Sequence, residues 1–296
     1  MTAVAPSLGR SAPVSRSPTW VRIKEAMRRH PMAIIGAVVL VLLILMAVLA
    51  PYLGTVDPQA ISPVRRLRKP SEAYWFGTDM LGRDVYSRVV FGARVSLAVG
   101  LSVAVLATTI GLAIGLITGF IRGLDAVVMR VMDGLMSIPG VLLAIALMAL
   151  TKASLENVII AITVTEVPRV VRLIRALVLA LREQAYVDAA IAAGTRTPRI
   201  LVRHILPNTI APLLVQGTYI CASAMLTEAI LSFLGAGTPL NIPSWGNIMA
   251  EGRSLFQLAN YLIFFPGIFL SLAVLSVNLL GDGMRDALDP RLARNM

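Results

Sequence analysis

Residues 186–208 read YVDAAIAAGTRTPRILVRHILPN. The stretch is polar and basic, and Gly194, Pro198 and Pro207 punctuate it. Glycine tolerates a left-handed turn and proline lacks a backbone N–H, so each interrupts a helix. The pattern predicts a helix, a turn at Gly194 and a second helix. Apolar runs flank it, from about residue 155 before and from about 210 to 234 after. A helix needs about 20 mainly apolar residues to cross a bilayer. The stretch is therefore a loop between two membrane spans, with a surface that something soluble can grip.

The composition agrees. The chain has 296 residues, of which 57% are hydrophobic and only 15% charged, with a mean hydropathy of +0.78. A soluble domain needs more charge than this at its surface. Apolar runs continue over about 20 residues, where barrel strands would alternate over about 10. Backbone groups in lipid must be satisfied internally, so the fold class is all-α and polytopic. The net charge of +11 serves topology. No basic block is interleaved with a stacking aromatic platform, so nucleic acid is not a partner. The single cysteine, Cys221, forms no internal disulfide and leaves the redox compartment open.

In chain order, residues 1–31 are rich in Ser, Pro, Ala and Arg and read as a cytoplasmic tail. Its end, WVRIKEAMRRH, suits an amphipathic helix on the inner leaflet with Trp20 at the interface. The first span covers 32–52, uncleaved, because a signal peptide has a much shorter leader and Pro51 opposes cleavage. A polar segment, 53–92, follows, and its prolines oppose a long helix. Residues 93–282 hold five further spans, making about six. The second, 93–121, carries Gly111, Gly115 and Gly119 at intervals of four, a stripe that lets another helix approach closely. After a short loop at 122–130, the third span runs to 150 with a kink at Pro139-Gly140. The fourth continues past its apolar part into Arg169, Arg172, Arg175 and Arg182, a basic extension into solvent. The sixth begins at Asn260, and 283–296 is a short tail.

Most of the 27 Lys and Arg fall on one side if both termini are cytoplasmic, which also places loop 182–208 in the cytoplasm. The run RRLRK at 65–69 breaks this rule by lying outside. Tyr74, Trp75 and Trp245 sit in the two long outer segments, where an interfacial aromatic belt would place them.

Candidate chemistry is sparse. The only histidines are His30 and His204. HExxH, GxSxG and a zinc set are missing from the sequence, so neither a catalytic residue nor a metal ligand is expected. No GKS/T-ended phosphate loop is present either, so the chain does not bind ATP itself. Of the carboxylates in or near spans, Glu156 lies at a span's start and Glu166 within reach of Arg169. Glu228 lies deepest and is the best candidate for lining a pathway, although structural pairing stands somewhat ahead of that reading.

Beside this stands a resemblance. DAA-x3-G-x9-H-x-LP, at Asp188, Ala189, Ala190, Gly194, His204 and Pro207, resembles the EAA motif of ABC importer permeases. Asp188 stands where that family usually has Glu. FGTDMLGRDVYSRVVFGARVSL (76–97), RVMDGLMSIPGVLLAIAL (130–147), EAILSFLGAGTP with PSWGNIMAEGR (228–253) and NLLGDGMRDALDPR (278–291) are similar to the second permease subunit of dipeptide and oligopeptide importers, DppC or OppC. The resemblance implies the type I ABC importer permease fold. It also implies that the chain is half of a pathway shared with a homologous second permease. Its coupling loop, with Arg203 among its residues, would dock on two cytoplasmic ATPases that carry ATP and Mg. Outer loops with Phe76, Asp79, Arg83, Asp84, Trp245 and Arg253 would meet an extracytoplasmic substrate-binding protein. The location implied is the inner membrane of a bacterium or archaeon. Nickel-chelate importers share these motifs, so peptide and nickel both remain open. A proton-coupled carrier using Glu228 is the reading from a different class, though no internal repeat supports it.

Overall fold

The computed structural model describes residues 31–288. The tail helix around Trp20, and the last residues including Arg291, lie outside the described residues. Ten helices follow: α1 (Pro31–Val48), α2 (Val85–Phe120), α3 (Arg122–Ser137), α4 (Gly140–Ala149), α5 (Leu155–Arg182), α6 (Ala185–Ala192), α7 (Thr197–Ile200), α8 (Leu206–Phe233), α9 (Trp245–Gly252) and α10 (Tyr261–Leu288). The described residues contain two isolated β-bridges and no strand.

Four helical stretches are long and apolar enough to cross a membrane: α1, α2, the continuous run Thr197–Phe233 and α10. The α3–α4 pair, bent by 90° at Ile138-Pro139, makes a fifth if its two halves are one span. Pro139 cannot continue the hydrogen-bond ladder, which accounts for the break. Helix α5 is 28 residues long but too polar to stand among these candidates. Its charges have partners: Arg169 reaches Glu166 at 3.0 Å, Arg172 reaches Asp133 at 2.6 Å, and Arg175 grips Asp125 through two nitrogens. The stripe is still partly solvated, with the Arg169 and Arg172 side chains 47% and 45% exposed, while Arg172 and Arg175 also link α5 to α3.

Two boundaries differ from the sequence expectation. The second span starts at Val85, well before the apolar run, because Asp84 caps it by accepting from Ser87 N at 2.8 Å. Residues 122–130 are the first turns of α3 rather than a loop. Arg122, Asp125 and Arg130 made that segment look like a polar connection, yet Asp125 pairs with Arg175 of α5.

The glycine stripe sets the central packing. A Cβ on Gly111, Gly115 or Gly119 would lie 2.5 Å from Val170 Cβ, 2.7 Å from Ile174 Cβ and 2.6 Å from Val178 Cβ respectively. Three glycines on α2 thus seat three branched residues on α5, a close approach that supplies packing where lipid gives no hydrophobic drive. Gly115→Ala is expected to cost about 1–3 kcal/mol through overpacking. Thermal unfolding in detergent reads this, and Ile174→Ala in the same chain should recover part of it. Equal stability of Gly115→Ala and wild type would refute the seam.

The core has two parts. One gathers α2, α4, α5 and α8, and includes Val187, Ile200 and Ile205 from loop 182–208. The other gathers α1, α2, α8, α9 and α10 with Leu67 and Phe76 of the 53–84 segment. At 36 residues, α2 is about 54 Å long and runs through both.

Candidate functional site

Loop 182–208 stands away from the helices that carry it. Helix α6 is only eight residues long, too short to persist alone. One side chain secures it: Val187 is fully buried among the residues that pack α5. Ile200 and Ile205, also buried, hold the second half. The other side chains turn outward. Asp188, Ala189, Ile191 and Ala192 are exposed, and Tyr186 is half-exposed with its ring 6.4 Å from that of His204. Asp188 lies in the first turn of α6, where the helix dipole favours a carboxylate.

Gly194 ends α6 for a conformational reason. Its φ is +75°, and nothing lies within 4 Å of where a Cβ would be. Thr195 N donates to Ala190 O at 3.0 Å and Gly194 N to Ile191 O at 2.9 Å. These two bonds complete a Schellman cap, which requires the left-handed residue. The chain then re-enters a helix at Thr197. A π-helical turn at Leu201–Ile205 precedes Pro207, with Leu206 N donating to Leu201 O. This turn absorbs the bond that Pro207 cannot make. Arg203 and Pro207 are exposed on it and His204 is half-buried. The result is a short, stiff, outward-facing helix whose anchors are core residues. Those anchors lie in the same core cluster as residues of α5 and α8.

The other candidates lie at the opposite end of α2. Glu228 is fully buried. Its Oε1 accepts from Ser232 Oγ and Ser244 Oγ, each at 2.8 Å, and from Thr238 Oγ1 at 3.4 Å. These bonds fasten the 235–244 loop to α8, while Oε2 is buried without a hydrogen-bond partner. Asp79, Arg83 and Trp245 are also inside, at 0%, 8% and 0% exposure, so their side chains cannot be the part of the outer loops that meets a partner. Arg88 Nη1 donates to Asp79 Oδ2 and Glu251 Oε2, both at 2.6 Å, and Nη2 to Glu251 Oε1 at 2.9 Å. Arg83 bridges the same two carboxylates at 2.6 and 2.7 Å. Trp245 Nε1 donates to Val89 O at 3.0 Å. Phe76, half-buried, stacks on Phe265 with ring centres 3.9 Å apart. Asp84 is the cap of α2. Arg253 is exposed, with Nη1 donating to Phe233 O at 3.0 Å.

Sequence reasoning named Asp79 and Arg83 but missed Arg88 and Glu251, which complete the cluster. An arginine and a glutamate inside otherwise apolar helical segments were the available signal. Among the described residues no group of His, Cys, Asp and Glu could hold a metal ion.

Comparison with known proteins adds the following. Residues 95–294 match the family model described as binding-protein-dependent transport system inner membrane component. Residues 19–70 match the N-terminal TM domain of oligopeptide transport permease C. A probable peptide ABC transporter permease of Sinorhizobium fredii is 51% identical over 293 residues, 99% of each chain. The dipeptide transport system permease DppC of Alkalihalophilus pseudofirmus is 40% identical, over 92% of this chain and 90% of that one. The glutathione transport system permease GsiD of Escherichia coli is 39% identical, over 92% and 91%. Among solved structures, a chain of the inward-facing MetNI methionine ABC transporter aligns with a TM-score of 0.59 at 19% identity, over 68% of this chain and 96% of that chain.

Proposed function

This chain belongs to the binding-protein-dependent inner membrane components, the permeases of ABC importers, in their dipeptide and oligopeptide branch; on that premise we propose the part it plays in transport. It forms half of a translocation pathway for di- or oligopeptides, the other half coming from a homologous second permease. Loop 182–208 is the cytoplasmic coupling element, and both termini are cytoplasmic. Two ATPases grip α6 and supply the ATP and Mg that this chain does not bind. A substrate-binding protein delivers peptide from the other side.

The observation that carries the reading is α6 itself: eight residues, one buried anchor, and an outward face of Asp188, Ala189 and Ile191. A helix so exposed gains nothing for this chain's own core. A groove on a soluble partner explains its exposure, and its anchors in the α2–α5–α8 core explain how movement there reaches the spans. Closure of the ATPases would press α6 and tilt α5 and α8. Hydrolysis would release them. The substrate class is proposed by analogy with the relatives, which are named for peptide, dipeptide and glutathione transport.

The test is reconstitution. The permease pair, the ATPases and the binding protein encoded beside this chain are placed in proteoliposomes. Di- or oligopeptide with binding protein should raise ATP hydrolysis and drive peptide uptake. Nickel should do neither. Glu228→Gln, whose amide oxygen accepts the same three hydroxyl bonds while its NH2 takes the unpartnered Oε2 position, should retain transport, whereas a proton relay would lose activity. Peptide uptake driven by a pH gradient without ATP would overturn the reading.

A further inference from the structure

The run RRLRK at 65–69 contradicts the charge rule that orients the chain, and its geometry is unusual. Leu67 has φ +51°, a left-handed conformation that costs a branched, bulky residue strain. The surroundings enforce it. Leu67 N donates to Asp79 O at 3.1 Å, Arg68 N to Thr78 Oγ1 at 2.8 Å and Thr78 N to Arg68 O at 2.9 Å. Tyr261 Oη donates to Thr78 O at 2.8 Å, tying the turn to α10. With its backbone held this way, Leu67 packs into the α1–α10 core. Arg65, Arg66, Arg68 and Lys69 all remain exposed. Among the described residues none of the four takes part in an ion pair at 4 Å or less. Strain of this kind persists where the surrounding structure over-determines it, and clusters at functional sites.

Beside the turn lies a cavity of about 580 Å³ lined by Arg65, Tyr74, Trp75, Asp84 and Tyr86 together with small loop residues. Trp75 is 61% exposed and meets Tyr86 edge-on at 4.8 Å. Arg65 lies over the Tyr74 ring at 5.9 Å. An exposed tryptophan in an aromatic recess, with Arg65 on its wall and three further cations on the adjoining turn, has the composition of a binding hot spot.

We infer that the turn 65–69 and the Trp75 recess together form the docking surface for an acidic face of the substrate-binding protein, one of whose apolar side chains enters the recess. The inference rests on the orientation and the binding-protein partner proposed above. It moves the contact away from the buried Asp79, Arg83 and Trp245. Charge complementarity selects the partner: four exposed cations on a fixed turn steer an acidic protein and set its register. An anionic bilayer is the alternative occupant, and the lipid composition of the nanodiscs separates the two.

The experiment measures binding of the purified binding protein to the assembled transporter in phosphatidylcholine nanodiscs. Replacing Arg65, Arg66, Arg68 and Lys69 together by Glu should weaken binding about tenfold or more and abolish its sensitivity to NaCl. Replacing the three arginines by Lys, which keeps the charge, should retain both, showing that charge and not folding is read. Trp75→Ala should weaken binding about tenfold with the salt sensitivity intact. Equal binding by wild type and the Glu variant overturns this inference and leaves the transport reading standing. No binding by wild type overturns both. A loss seen only in nanodiscs of anionic lipid would assign the turn to the membrane and overturn it as well.

Discussion

Arg88→Met is expected to unfold the end of the molecule that carries α9. Arg88 is 1% exposed and joins two carboxylates, Asp79 at 0% and Glu251 with an 18% exposed side chain. Removing the cation strands negative charge where water cannot reach it. Breaking a buried pair from one side costs about 3–5 kcal/mol. Arg83 remains beside both carboxylates, but it already serves them. Thermal unfolding in detergent should show a large fall in Tm for the single variant. Arg88→Met with Glu251→Met removes one charge of each sign and should be more stable than Arg88→Met alone. Arg88→Lys keeps the charge but loses the two-pronged grip on Glu251, and should fall between. A single variant as stable as wild type would show that the cluster contributes nothing.

Ala190→Pro is expected to abolish recruitment of the ATPases while the protein still inserts. Proline in a helix interior removes a hydrogen bond and clashes with the carbonyl four residues back, at about 3 kcal/mol or more. Helix α6 has eight residues and one buried anchor, so nothing in the described structure offsets that cost. The damage stays local, because the α2–α5 seam and the other core helices do not depend on α6. Gly194→Glu attacks the same element differently. At φ +75° a side chain strains the backbone by about 1–2 kcal/mol, and the Schellman bonds from Thr195 and Gly194 are lost with the turn. Affinity capture of this chain from a co-expressed complex checks both variants. ATPase recovered at wild-type yield from Ala190→Pro would end the coupling assignment.

The candidate site was legible to different depths at the two ends of the molecule. Loop 182–208 announces itself, because polar sequence broken by glycine and proline cannot continue the apolar helices on either side of it. Its turn at Gly194 depends on backbone conformation alone, which residue type predicts well. The outer segments misled in detail. Asp79, Arg83 and Trp245 looked like surface residues because charge and indole usually seek water or an interface. They are inside because Arg88 and Glu251 neutralise the charges and the Val89 carbonyl takes the indole N–H. Glu228 looked like a pathway residue because a carboxylate deep in a span is costly without a partner. Ser232, Thr238 and Ser244 close around its Oε1, and Oε2 is left without a partner.

Local chemistry therefore decided the class of the protein: continuous apolar runs demand helices in lipid, and the Gly111–Gly115–Gly119 spacing demands a close neighbour. It did not name that neighbour. Pairing α2 with α5, turning the arginines of α5 onto Asp125 and Asp133, and burying an ionic cluster under the outer loops are all contacts between segments far apart in sequence. Spacing along the chain reports which side a residue faces. Only the assembled structure determines what stands there, because burial of a charge is favourable only once its partner is in place.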